Sequence, residues 1–294
     1  MKFIKNKNLQ KLFNILGILL LLLLLNQNLD LKIIKFQQLD KIKIFYVFLL
    51  MNLRLFIRSI LQIEITKILK IEITFLESLK IVSLTRFGNS FGFLKLGSGY
   101  KIHYYLKKLN VKFKDYIFVS SLQTLLEYSV NLNFILVSAY YLLDSTFLFN
   151  NFLVIILIFN FLLLISGAIY KVIKTKHQFV KNLPEIKTKS ILKFFLISLF
   201  VTIVNIFLSF QIFLLFENNI SLEQVNMYYN LGNLINFITI TPGNIGFFEY
   251  LIISLENLHK INAQTILLSS IFFRIFDYFL GFLYFIFKDK LFKS

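Results

Sequence analysis

The sequence predicts an all-α protein, a polytopic membrane helix bundle of about six full spans plus two broken, re-entrant hairpins. Three observations lead there. Apolar residues fill 57% of the 294 positions and the mean hydropathy is +0.73, with uninterrupted apolar runs longer than ordinary buried helices. The lysines behind the net charge of +17 sit in short segments between those runs, a pattern that membrane topology explains better than nucleic-acid binding. The apolar series is also interrupted at two places by glycines, one of them carrying one of only two prolines. A single integral membrane domain over residues 1–294 is expected.

In chain order, the run Leu9–Leu25 follows four lysines in Met1–Lys11. It resembles a signal peptide but lacks a small-residue cleavage pattern before Asp30, so an uncleaved first span is expected. The basic connector Lys32–Lys43 leads into a second span, Ile44–Ile63, which carries Arg54 and Arg58 on one helix face. An arginine at mid-span costs about 2.5–3.5 kcal/mol, so both are expected to face the bundle or to reach an interface. Interface anchoring is favoured over phosphate contact. Glu64–Lys80 is amphipathic and is expected to lie at the interface.

The first break, Ile81–Lys101, contains four glycines and runs into a basic helix, Tyr100–Asn110, with Lys101, His103, Lys107 and Lys108. Tyr116–Leu143, Phe147–Tyr170, Ile191–Phe216 and Gln264–Phe287 are each long enough to cross about 30 Å of hydrocarbon. The second break lies within Val225–Glu256, at Thr241-Pro242-Gly243-Asn244-Ile245-Gly246-Phe247-Phe248-Glu249. Pro242 removes a backbone donor and disfavours helix at Thr241, while Gly243 and Gly246 accept backbone angles that other residues resist. One helix should end near Ile240 and another begin near Asn244, its positive dipole end beside the break.

Positive charge sets orientation. Six lysines in Lys95–Asp115, seven in Lys171–Lys193 and three after Phe287 place those segments in the cytoplasm with both termini; Leu142–Thr146 and Glu217–Glu223 belong outside. Asn26–Lys43 must then also lie outside despite its lysines. Each half consists of two spans and a broken hairpin, in opposite orientations, the arrangement of an inverted repeat. No residue-level repeat accompanies it.

At these two breaks the chain resembles the flippase-like transmembrane domain family, which precedes the soluble aminoacyl transferase in lysylphosphatidylglycerol synthases. Thr241–Glu249 is similar to the family's Pro-Gly-Gly-x-Gly-x-x-Glu segment, with Asn244 in place of a glycine. Gly97-Ser98-Gly99-Tyr100-Lys101 running into Tyr104-Tyr105-Leu106-Lys107-Lys108 is similar to its glycine-basic stretch, and Arg274 sits where the family often has Arg. Many members have Glu-Arg and a following Asp where this chain has Glu127-Tyr128 and Asn131, so that ion pair is missing. The resemblance covers about residues 59–287. It implies a multi-pass protein of the inner (plasma) membrane, and the short tail after the last span leads to the expectation of a stand-alone member without the transferase.

The residues singled out for headgroup binding or gating are Gly97, Gly99, Lys101, His103, Glu127, Pro242, Gly243, Gly246, Glu249, Arg274 and Asp277. Each has a bland alternative. Glu249 suits a helix N-terminus or a hairpin rim; Arg274 and Asp277, one turn apart, suit mutual neutralisation; the lysines and His103 suit topology. Glu127 is too deep for easy access to water and calls for a partner or a cavity. His177 and His259 lie in connectors and receive no role. With no cysteine and no ligand-spaced histidines, no metal, cofactor or catalytic residue is expected.

Three functions of different class fit. The first is a translocase for a phosphate-bearing or aminoacylated phospholipid. The second is a membrane subunit of a lipid-headgroup-modifying enzyme, such as a phosphatidylglycerol lysyltransferase, working with a soluble transferase partner. The third is a structural subunit. The expected partner is membrane phospholipid and not nucleic acid.

Overall fold

In the computed structural model of the protein, the described residues are 40–90, 96–142, 184, 188–235 and 246–291. All regular structure among them is helical: α1 (Lys41–Ile68), α2 (Phe75–Ser90), α3 (Leu96–His103, continued by a π-turn, Tyr104–Lys108), α4 (Phe113–Leu142), α5 (Thr188–Phe213), α6 (Leu222–Ile235), α7 (Phe247–Ser254), α8 (Glu256–His259) and α9 (Ala263–Leu291). The expected spans Leu9–Leu25 and Phe147–Tyr170, with His177, lie outside the described residues.

α1 shows why the sequence folds this way. Asp40 caps it, its carboxylate accepting from the Ile42 N–H at 2.8 Å, and 28 residues free of Gly and Pro follow. Val47, Met51, Leu55, Ser59, Gln62 and Thr66 form a buried stripe at helical spacing. Ile42, Phe45, Leu49, Leu53, Phe56 and Ile60 form a second, exposed apolar stripe. An apolar face left outside the bundle is what a helix presents to lipid. Exposed Leu192, Leu196, Phe200 and Phe207 on α5, and Ile275, Phe279 and Phe282 on α9, repeat the pattern. Among the described residues, Lys41–Ile68, Lys189–Phe213 and Ala263–Tyr284 are long and apolar enough to cross a membrane. α4 is as long as these but is not among them.

α1 and α5 run antiparallel along their length. At one end the Lys43 ammonium donates to the Leu214 carbonyl at 2.8 Å; at the other, Lys193 approaches Glu64 at 3.9 Å. The start of α1 and the end of α5 therefore share one end of the bundle, which is what the reading of Asn26–Lys43 and Glu217–Glu223 on the same side requires. Val47 and Met51 of α1, Leu208 and Ile212 of α5 and Phe272 and Leu280 of α9 pack together as one core.

Two helical hairpins insert from opposite ends. The first is α2 against α3: Glu77, near the start of α2, meets Tyr104 and Lys108 just after α3, at the Glu64 end. It is held by glycine at a helix crossing, for a Cβ on Gly97 would overlap the Thr85 carbonyl and come within 2.8 Å of the Asn89 nitrogen. The second is α6 against α7, α8 returning the chain. Gln224 donates to the Lys260 carbonyl at 2.9 Å and Asn262 to Glu217 at 3.2 Å, so this hairpin starts and finishes at the Lys43 end. α2 packs on α9, and α6 packs on α4.

Two boundaries differ from expectation. The amphipathic stretch Glu64–Lys80 is not one interfacial helix: its first residues complete α1, Lys70 turns the chain with φ 58°, and Phe75–Lys80 already belong to α2. The terminating signal is a left-handed lysine, a residue type that does not announce such a turn in sequence.

Candidate functional site

The helices line a half-open cavity of about 560 Å³ between α1, both hairpins, α4, α5 and α9, a size that suits a small ligand or a lipid headgroup. Five cationic side chains line it, Arg54, Arg58, Arg86, Lys101 and Arg274, with Asp277 the lining carboxylate.

Arg54 and Arg58 stand one turn apart beside the buried stripe of α1, which turns them inward. The Nε and Nη1 of Arg54 and the Nε of Arg58 are buried without a hydrogen-bond partner among the described residues. Arg54 lies 5.3 Å from the centre of the Phe273 ring, a cation–π contact that offsets part of the cost of burial. These two arginines are therefore not interface anchors. Both side chains line the cavity, and leaving such donors without acceptors is costly.

Arg86 projects from α2 onto Asp277 of α9. Its Nε donates to Oδ2 at 2.7 Å and its Nη2 faces Oδ1, a bidentate fork joining the first hairpin to the helix that follows the second. Arg86 also approaches the Phe273 ring, at 5.9 Å.

Glu249 is 1% exposed, and its environment follows from the glycine before α7. Gly246 has φ 76°, a region other residues resist. The turn lets its N–H donate to Glu249 Oε2 at 2.8 Å, so the carboxylate caps its own helix. Glu249 Oε1 accepts from the Ser270 hydroxyl at 2.5 Å and from Arg274 Nη2 at 2.8 Å. The carboxylate is thus neither a rim residue nor idle.

This arrangement overturns one sequence reading. Arg274 and Asp277 do not neutralise each other: Arg274 pairs with Glu249 and Asp277 with Arg86. Helical neighbours one turn apart are steered to different partners because a hairpin packs on each side of α9.

The remaining expected residues separate. Lys101 reaches the cavity and interacts electrostatically with Glu127, whose carboxylate accepts from Gln123 at 2.7 Å. Gly97 is buried at the crossing, whereas Gly99 is exposed with open space around it. His103 and Lys107 are exposed, and Lys108 pairs with Glu77 at 3.3 Å; none of the three lines the cavity. Pro242 and Gly243 lie outside the described residues. Arg86 was missed, although a charge inside the apolar stretch Ile81–Phe87 is a signal in its own right. His259 was also undervalued. It is fully buried, its Nε2 bonded to the Ile252 carbonyl at 2.8 Å and its Nδ1 accepting from the Ile261 N–H at 3.1 Å, so it pins the return of the second hairpin.

No curated protein matches the chain. The family model described as Lysylphosphatidylglycerol synthase TM region matches residues 12–284, starting well ahead of the resemblance at residues 59–287. With nearly the whole chain covered, and with apolar helices of spanning length, this is a multi-pass membrane protein belonging to the family of the lysylphosphatidylglycerol synthase transmembrane region.

Proposed function

We propose that the protein is a lipid translocase that moves, or helps to move, a phosphate-bearing or aminoacylated phospholipid between leaflets of the inner (plasma) membrane. The observation that carries this reading is the half-open cationic cavity lined by helices with exposed apolar sides. A headgroup can lodge there while its tails stay in hydrocarbon, and no covalent chemistry is needed. The whole chain acts as one membrane domain of about six spans, with both termini cytoplasmic.

The two halves act as inverted repeats that rock against each other. Three features support this: the hairpins enter from opposite ends, α2 on α9 mirrors α6 on α4, and α1 on α2 mirrors α5 on α6. The Arg86–Asp277 fork spans the halves and serves as a latch.

The test is the leaflet distribution of fluorescent phosphatidylglycerol and lysylphosphatidylglycerol in vesicles holding the purified protein. Exchange of at least one of the two lipids above that of protein-free vesicles is expected, with an Arg86→Gln/Asp277→Asn double variant changed at least tenfold. This variant keeps the net charge and leaves no lone buried ion. Exchange no faster than in empty vesicles, for every headgroup, refutes the proposal and leaves the subunit of a headgroup-modifying enzyme. The cluster of Glu64, Glu77, Tyr104, Lys108 and Lys193 at one end of the bundle favours that alternative as a docking face for a soluble transferase.

A further inference from the structure

We infer that the cavity selects a phosphoanion carrying about two negative charges, a phosphomonoester or diphosphate, and rejects aminoacylated headgroups. This rests on the translocase reading for the source of the ligand, but the selectivity itself follows from the cavity wall.

The charge balance sets the class. Five cations, Arg54, Arg58, Arg86, Lys101 and Arg274, face three carboxylates, Asp277 in the wall, Glu249 behind Arg274 and Glu127 near Lys101, which leaves two positive charges in excess. In a low-dielectric cavity such an excess is relieved by an anion of matching charge. A phosphodiester supplies one negative charge and leaves the wall positive. A phosphomonoester or diphosphate supplies two or more.

Hydrogen bonding points the same way. Arg54 and Arg58 line the cavity, and among the described residues neither is paired with a carboxylate. Guanidinium forks match the oxygens of a phosphate. A lysyl headgroup brings ammonium groups, which need acceptors, and the three carboxylates already have partners. Both oxygens of Asp277 face Arg86; Glu249 is held by Gly246, Ser270 and Arg274; Glu127 accepts from Gln123. An ammonium entering this cavity meets an excess of like charge.

The experiment is equilibrium binding to the purified full chain in detergent at pH 7.5 and fixed low salt, with dihexanoyl forms of phosphatidic acid, phosphatidylglycerol and lysylphosphatidylglycerol as probes. Phosphatidic acid is expected to bind at least tenfold more tightly than lysylphosphatidylglycerol, with phosphatidylglycerol between them. An Arg54→Gln/Arg58→Gln variant should raise the Kd for phosphatidic acid at least tenfold, and Arg54→Lys/Arg58→Lys should recover part of the loss, which separates lost charge from lost fold. Inorganic pyrophosphate distinguishes the sources. If it displaces phosphatidic acid at similar concentration, the phosphoanion alone is the ligand; if phosphatidic acid keeps a tenfold advantage, the lipid headgroup is. Either result supports the class. Equal or tighter binding of lysylphosphatidylglycerol overturns it, as does an unchanged Kd in a folded Gln/Gln variant. Tight phosphatidic acid binding without leaflet exchange sinks the translocase reading and leaves this one standing. Exchange that favours the lysyl lipid does the reverse.

Discussion

The two hairpins solve one problem with opposite chemistry. Each must hold its two arms inside the bundle. The first hairpin does so through backbone proximity: Gly97 sits against the Thr85 carbonyl, and the Asn89 side chain accepts from the Ser98 N–H at 2.8 Å. The second does so through charge, with Glu249 capping α7 and gripping Arg274 on α9. The polarity of the neighbouring charges is also reversed. In the first half the hairpin carries the cation, Lys101, and the following helix carries the carboxylate, Glu127; in the second the hairpin carries Glu249 and the following helix Arg274. Similar architecture thus places a cation at the cavity from either half, because what the cavity needs is positive charge, not a particular helix to supply it.

Breaking the charged tie should have the largest effect. Glu249→Ala leaves the largely buried Arg274 without its carboxylate, and loss of one partner from a buried pair costs about 3–5 kcal/mol. A fall in thermal stability of that order in detergent is expected, and replacing both residues, as Glu249→Ala/Arg274→Met, should recover more than half of it. If the double variant is no more stable than the single one, the ion pair is not what holds the second hairpin.

The glycine tie comes next. Gly97→Ala pushes a methyl group into the Thr85 carbonyl, backbone against backbone, and overpacking of this kind costs about 1–3 kcal/mol. Hydrogen exchange should locate the loosening in α2 and α3, with the amides of α6 and α7 kept. Loosening of both hairpins together would mean that they do not move as separate units.

These ties show what was legible in the sequence. The described helices and the family were, because apolar runs are local signals. Glu249 and Arg274 were recognised as residues of interest from the motif they stand in, but their pairing was not, since it joins residues 25 positions apart on different helices. Arg54 and Arg58 were read as anchors because snorkelling is the common fate of arginine in a span. Their inward direction depends on which stripe of α1 the other helices bury, and both stripes of α1 are apolar. Pattern alone does not tell the lipid side from the core side of such a helix.

Acid should separate the hairpins further. Burial pushes the His259 imidazole below its ordinary value, although the Ile252 carbonyl and Glu256 act in the other direction. The folded state therefore prefers the neutral ring, and its contribution to stability is full above the unfolded pKa of about 6.5. It is lost as the pH falls through that value toward the folded one. Exchange of the α7 and α8 amides should quicken between pH 7.5 and 5 relative to those of α2 and α3, whose neighbouring histidine, His103, is exposed. His259→Gln should remove the difference; an acid response that survives it belongs to another group.

The smallest effect is expected at Gly99, and its sign is the informative part. Gly97 and Gly99 lie two residues apart in one motif, yet a Cβ at Gly99 meets nothing within 4 Å. Alanine there gains helix propensity of about 0.5–1 kcal/mol over glycine, so Gly99→Ala should raise the melting temperature slightly and leave leaflet exchange unchanged. A loss of exchange in a stabilised Gly99→Ala protein would mean that a moving partner, lipid or helix, closes onto this open face during the cycle. The glycine would then serve motion, while Gly97 serves packing. Unchanged exchange would assign the whole requirement for glycine in this motif to the single close approach at Thr85.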